Sequence, residues 1–383
     1  MKTSEIITPA YITDTEVFED NFKSIGTLKN LMYPKNRQSV SFKTNYHPAF
    51  LVKAKELGVM AEVVSPKEYA MAASLGYDDN EIIYNGVIPD LSNKMRVAKN
   101  GGIVNLESIS EIEDMRKACE EIGIKVKIGV RLNIGAVHGS VSRFGIDVCS
   151  DDYTRLKELN GGSIEINCVH CHVSQARGLE DFSMRVREMA KHAKELGAKI
   201  IDIGGNRYGK MTKPFKMQFN GHIPTQDTYM ETICTEMYKC FPNGDVMLVT
   251  EDGTPVFSNA MHLLATVIGK KKICGRTYIV VDTKREDVGA SCAVKSPDCI
   301  NISGPHADFL ENAQIDGCSC VELDHIVRDY RGAAEIGDKI LFLNVGAYSN
   351  NFSCGFISDS PQYIDCKDIE DWGFVKKFIN SRY

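Results

Sequence analysis

The sequence predicts an α/β protein, a (β/α)8 TIM-type barrel joined to a C-terminal antiparallel β domain, on three observations. From residue 39 onward, short runs rich in β-branched residues alternate with longer amphipathic stretches. About eight such units follow one another, the number that closes a parallel sheet into a barrel. After about residue 270 the alternation stops, and strand-like runs succeed one another without long helices between them.

The elements follow in order. TPAYITDTEVFEDNF opens on a strand-like run and is expected to return and pair in the β domain. SVSF, with Val40 and Phe42 alternating, is the first barrel strand, and Pro48 stands where a first helical turn tolerates a missing N–H. The later strands are AEVV, EIIYN, IVNL, VKIGVRLN, INCVHCH, IIDIGG and VMLVTE. Between them lie helical patterns such as HPAFLVKAKELGV, PKEYAMAASLGY, SEIEDMRKACEEIG and LEDFSMRVREMAKHAKELG. RTYIVVDT, CSCVELDHIV and DKILFLNVGAYS are the strands of the second domain. The expected division is 30–270 for the barrel, with 1–29 and 271–383 forming the β domain. An open doubly wound sheet fits the alternation less well, because no G-x-G-x-x-G follows the first strand.

Composition narrows the function. At 383 residues the chain exceeds an ordinary single core. A net charge of -6 leaves no basic excess for nucleic acid or an anionic membrane, so the expected partner is a small molecule. No apolar leader opens the chain and no segment is long enough to span a bilayer, which makes the cytoplasm the expected compartment. The 13 cysteines, odd in number and scattered, fit reduced thiols.

A barrel builds its site from the C-terminal ends of its strands, and these are polar here. They carry Lys43 and Asn45, Glu62, Asn85, Glu107, Arg131 and Asn133, His170 and His172, Gly204 and Gly205, and Glu251. A lysine ringed by apolar strand residues is expected to have its ammonium form disfavoured and to act as a nucleophilic amine. Pyridoxal phosphate uses such a lysine together with a carboxylate on its ring nitrogen, for which Glu251 is placed, and the glycine pair lets backbone N–H groups approach a phosphate. Cys168, His170 and His172 share a strand face, but no further ligand pattern completes a metal site, and His170 reads as a packed core residue. Cys318 and Cys320 read as buried thiols on one strand face.

SFKTNYHPAFL, AEVVSPKEY, GVRLNIG with SRFGID, HCHVSQ, DIGGN, EDG, GPHAD and NVGAYS stand in collinear order. In that order and spacing, from about Pro9 to Tyr348, the chain resembles the fold-type III pyridoxal-phosphate-dependent decarboxylases, the family of diaminopimelate and ornithine decarboxylases, related to alanine racemase. The resemblance implies pyridoxal 5'-phosphate as cofactor, no metal, and a homodimer with its active sites at the interface. It implies Lys43 as the Schiff-base lysine, His172 stacked on the ring, and Glu251 on the ring nitrogen. It likewise implies Gly204, Gly205 and Tyr348 at the phosphate, with Glu62 and Arg131 near the cofactor.

The chain departs from that pattern in GPHAD, where Ala307 stands in place of a proton-donating cysteine contributed by the neighbouring subunit. His306, Lys43 or water is then left to protonate the α-carbon, while Asp308 keeps the acidic position that meets a substrate's distal amine. Asn206 replaces a third glycine, and Thr254 stands where the family has an arginine. HVSQ replaces H-V-G-S, at Ser174 and Gln175. The expected activity is decarboxylation of an amino acid with a basic or modified side chain, ornithine- or lysine-like or an acylated derivative of the kind used in siderophore and antibiotic pathways. The alternative is a non-catalytic relative. Asp298 and Glu311 are weaker candidates for a cationic far end, and Arg285 and Lys295 for an anionic one.

Overall fold

The computed structural model describes residues 1–289, 294–304 and 309–383. Eight parallel strands form a closed ring: Asn36–Ser41, Met60–Val63, Ile82–Tyr84, Ile103–Leu106, Val126–Asn133, Ile164–His170, Ile200–Asp202 and Met247–Asp252. Closure is explicit, since Met247–Asp252 pairs with Asn36–Ser41 and Ile164–His170 pairs with both Val126–Asn133 and Ile200–Asp202. Ile82–Tyr84 and Ile103–Leu106 are buried at every residue, as expected for strands covered on both faces.

Local chemistry accounts for the helices between them. Pro48 and Pro66 occupy first turns, where a missing N–H costs nothing. The hydroxyls of Ser65 and Ser108 accept the N–H groups of Glu68 and Glu111, capping Pro66–Ser74 and Ile109–Ile122. Gly197, at φ +77°, ends Leu179–Leu196 in the left-handed region.

The second sheet has eight strands centred on the long strand Met261–Ile273. Ala10–Thr13 pairs antiparallel with it, Ala10 opposite Leu264, so the N-terminal run does return to this sheet. The sheet is mixed rather than purely antiparallel. Arg276–Val281 runs parallel to Leu310–Asp316, and Ala10–Thr13 parallel to Gln362–Asp365, because each pair is joined by a connection long enough to cross over. Helix Trp372–Arg382 covers this sheet, packing Trp372, Val375 and Ile379 against Ile12, Leu264 and Leu341.

One expected strand begins later than its apolar pattern suggested. CSC lies in a turn, and strand His325–Gly332 starts only after it. Asp324 closes that turn, its carbonyl accepting the Gly317 N–H at 2.8 Å and its carboxylate the Ser319 N–H at 3.0 Å. Cys318 is therefore half-buried and Cys320 exposed, not paired on a strand face. All cysteines among the described residues are free thiols. No described helix is long and apolar enough to cross a membrane.

Candidate active site

The first barrel strand ends at Ser41 and tightens into one 3-10 turn, Phe42–Thr44, which puts Lys43 at the barrel mouth. Its ammonium pairs with the Glu62 carboxylate and donates to Ser41 Oγ at 3.0 Å. Ser41 and Asn85 also donate to Glu62, and Asn85 Nδ2 reaches Glu251 Oε1 at 2.5 Å. Burial acts to lower the Lys43 pKa, but Glu62, Glu251 and Tyr348 outweigh it and push the pKa above the usual lysine value. The expectation of a disfavoured ammonium is thus reversed. Val40 and Phe42 beside Lys43 are apolar, yet two carboxylates from other strands face its nitrogen.

Glu251 is buried near the end of the eighth strand, with His170 Nε2 at 3.5 Å. Burial opposes its ionisation, but His170, Lys43 and His172 outweigh that and hold the carboxyl below the ordinary range. Asp202 behaves oppositely. Burial, then the Glu251 charge, pushes its pKa well up. His170, Asp202 and Glu251 offer ligand atoms within 4.8 Å of one another. This is a different group from the Cys168, His170 and His172 alignment of the sequence. The sixth strand stops at His170, and His172 turns away to accept the Gly205 N–H on Nδ1 at 3.2 Å, leaving its proton on Nε2.

A cavity of about 200 Å³ opens over these groups, bounded by Lys43, His172, Gly205, Glu251, Thr254 and Tyr348 among others. Only glycine fits at 205, because a Cβ there would lie 2.4 Å from the Glu251 carbonyl oxygen. The Gly204 N–H is committed to Asp202 Oδ1 at 2.9 Å. The backbone N–H groups of Asn206 and Thr254, both in the cavity wall, donate to no described residue. A second cavity of about 340 Å³ adjoins the first and shares Arg177, Thr254 and Tyr348 with it. Arg131 stands behind the site. Its guanidinium donates to the His172 carbonyl at 3.3 Å and packs on Phe144.

Several residues that shape this mouth were not singled out in the sequence. Asn351 and Asn350 bind the Lys43 carbonyl and the Asn45 side chain, each at 2.9 Å, and Asn45 binds the Gly346 carbonyl at 2.8 Å. Buried Arg185 donates to the carbonyls of Val173, Ala176, Ile203 and Gly205, holding two site loops from behind. The amides of NVGAYSNN were the only visible signal for the first group, and Arg185 sits in a helix where nothing marks it.

His306, Ala307 and Asp308 lie outside the described residues. Among the weaker candidates, Asp298 is engaged by Arg382 at 2.9 Å, Glu311 is exposed, and Arg285 is tied by its N–H to Asp324. Lys295 lines the second cavity, donating to the Gln218 carbonyl at 2.5 Å and lying over the Phe219 ring. The site therefore offers a primary amine, an ionised carboxylate and backbone donors unused by any described residue in one small cavity.

The family described as pyridoxal-dependent decarboxylase, pyridoxal binding domain, matches residues 27–258. The chain is 25% identical over 372 residues to diaminopimelate decarboxylase of Methanocaldococcus jannaschii, spanning 90% of this chain and 84% of the relative. It is 24% identical to the enzyme of that name from Helicobacter pylori strain J99, spanning 92% and 88%. The solved structure of Helicobacter pylori diaminopimelate decarboxylase complexed with L-lysine superposes with a TM-score of 0.79 at 21% identity, covering 98% of each chain. Lysine decarboxylase from Selenomonas ruminantium gives 0.80 at 21% identity, covering 97% and 96%, so the barrel and second sheet are a shared fold. With the family match running through the barrel strands that carry Lys43, His172 and Glu251, the chain belongs to the pyridoxal-dependent decarboxylases.

Proposed function

We propose that this protein removes the α-carboxylate of an amino acid with a basic or modified side chain, of the ornithine and lysine kind or an acylated derivative, with pyridoxal 5'-phosphate held in the barrel mouth. The observation that carries the reading is Lys43 in the floor of a cavity that Glu251 also lines. The cofactor fits the groups present: an amine for its aldehyde, a carboxylate for its ring nitrogen, and the free N–H groups of Asn206 and Thr254 for phosphate oxygens. A fixed glycine at 205 keeps that wall open.

When bound, the cofactor supplies an electron-poor ring that takes up the electron pair left by departing CO2. The protein's part is charge and proton management. Ionised Glu251 stabilises positive charge on the group facing it, while burial and the Glu251 charge disfavour a second anion at Asp202. Glu62, paired with Lys43, favours its ammonium form and so holds the amine in reserve. With alanine at position 307, the Lys43 ammonium is a proton source at hand for the α-carbon.

Asp308 supports a cationic far end, and Thr254 in place of an arginine weighs against a substrate with a second carboxylate. We also infer that two copies pair. Leu323, Phe352, Phe356 and Ile357 are exposed. Their segments are tied together by Lys284, bound to the Cys354 and Ser358 carbonyls, and by Arg285, bound to the Leu323 carbonyl.

The test loads the purified protein with cofactor, reduces it with borohydride and maps the modified peptide, then measures CO2 release from ornithine, lysine, arginine, diaminopimelate and ω-acylated ornithine and lysine. Modification at Lys43 with release from a basic or acylated substrate is the expected result. Release from diaminopimelate alone overturns the substrate assignment. No release from any of them with the cofactor bound overturns the activity.

A further inference from the structure

A phosphate dianion in the cavity described above needs positive charge close by, and the cations at this end of the barrel are nearly all committed elsewhere. Lys43 is paired with Glu62, Arg207 with Asp252, and Arg185 with four backbone carbonyls. Arg131 is turned to the His172 carbonyl and Lys295 to that of Gln218. Thr254 brings a hydroxyl and an N–H but no charge.

Arg177 differs from all of these. It lies in the loop between the sixth strand and helix Leu179–Leu196, and it lines both cavities. Among the described residues its guanidinium forms no hydrogen bond or ion pair, and it rests on the Tyr208 ring with the centroid 5.1 Å away. Its main chain is nonetheless pinned. The Arg177 carbonyl accepts the Tyr229 hydroxyl at 2.5 Å, and the preceding carbonyl, of Ala176, accepts Arg185 at 3.1 Å. A fixed backbone, a ring supporting one face of the guanidinium and open donors toward a cavity describe an arginine prepared for an anion.

We propose that Arg177 is the cationic ligand of the cofactor's 5'-phosphate, supplying from the loop after the sixth strand the charge that Thr254 lacks after the eighth. This rests on the reading of the site given under Proposed function. Its consequence is that the phosphate is recognised by a guanidinium on one side and by the backbone N–H groups of Asn206 and Thr254 on the other.

The experiment titrates cofactor-free protein with pyridoxamine 5'-phosphate and with pyridoxamine, following intrinsic fluorescence; neither compound forms a bond to lysine. Arg177→Ala is expected to weaken the phosphorylated ligand by about tenfold to a hundredfold, the range of a charge-assisted hydrogen bond, while changing pyridoxamine by less than about twofold. Arg177→Lys should recover part of the loss, and Thr254→Arg added to Arg177→Ala should recover more, by returning a guanidinium to the cavity wall. Undiminished binding of pyridoxamine 5'-phosphate by Arg177→Ala overturns the assignment, as does an equal loss for both ligands. A wild-type protein that binds neither compound overturns the reading of the site itself, and the assignment with it.

Discussion

The Asn351 side-chain amide donates to the backbone carbonyl of Lys43 at 2.9 Å, while its oxygen accepts the Tyr46 N–H at 2.9 Å. A loop of the second sheet is thereby fastened across the barrel turn that carries Lys43. The Tyr348 N–H, bound to the Thr44 carbonyl at 2.9 Å, reinforces the same seam, and Tyr348 takes the left-handed backbone at φ +57° to do so. The mouth is therefore built by both halves of the chain at once.

Asn351→Ala removes both bonds and leaves two backbone groups without their partner. The expected cost is about 1–3 kcal/mol of stability, read from chemical denaturation, together with faster loss of cofactor on dialysis. Cofactor retention equal to wild type would mean that this loop does not position Lys43.

Glu62→Gln tests the charge that favours the Lys43 ammonium. Below the lysine pKa the free amine, and with it the rate of borohydride-trappable attachment of pyridoxal phosphate to Lys43, rises with pH. Glu62 raises that pKa, so removing its charge moves the curve to lower pH, with faster attachment at neutral pH. A curve that stays in place or moves to higher pH contradicts the role given to Glu62.

His262 provides a stability switch away from the site. It is buried beside Trp372 with Nδ1 lacking any described partner, and burial lowers its pKa to about 4. Its unfolded value is about 6.5, so between these pH values the unfolded chain binds the extra proton and stability falls as pH falls. The full effect is about 3 kcal/mol. His262→Phe, which cannot take a proton, is expected to flatten the decline in melting temperature from pH 6.5 to 4; an unchanged slope would assign the decline to other groups.

Ala307→Cys restores the thiol that the resembling family uses. If the α-carbon is protonated inefficiently in the wild-type protein, the variant should raise the ratio of amine to aldehyde among the products, measured by chromatography of a single-turnover mixture. An unchanged ratio would show that Lys43 or another group already does this work.

Much of the barrel was legible in the chain, because period and punctuation are local. Val40 and Phe42 alternate and Pro48 opens a helix, all within a few residues. Lys43, His172, Gly205 and Glu251 were legible for the same reason, as residues at or just past strand ends, and all four line one cavity. The second sheet was less legible. Its parallel pairings join segments as distant as Ala10–Thr13 and Gln362–Asp365, and the turn that displaces Cys318 and Cys320 depends on Asp324 folding back on Gly317.

By itself, then, the sequence determined the order of the barrel's strands and helices, the closure of the barrel, the cofactor class and the lysine expected to anchor it, since each follows from short-range pattern or collinear motif. Only the tertiary structure decided the state of that lysine. Burial alone would lower its pKa, but Glu62 and Glu251 arrive from other strands and reverse the sign. Tertiary structure likewise left the Arg177 guanidinium without a partner among the described residues, while neighbouring cations found theirs. Charge states and free donors depend on what lies within a few ångströms in space, and distance along the chain does not encode that.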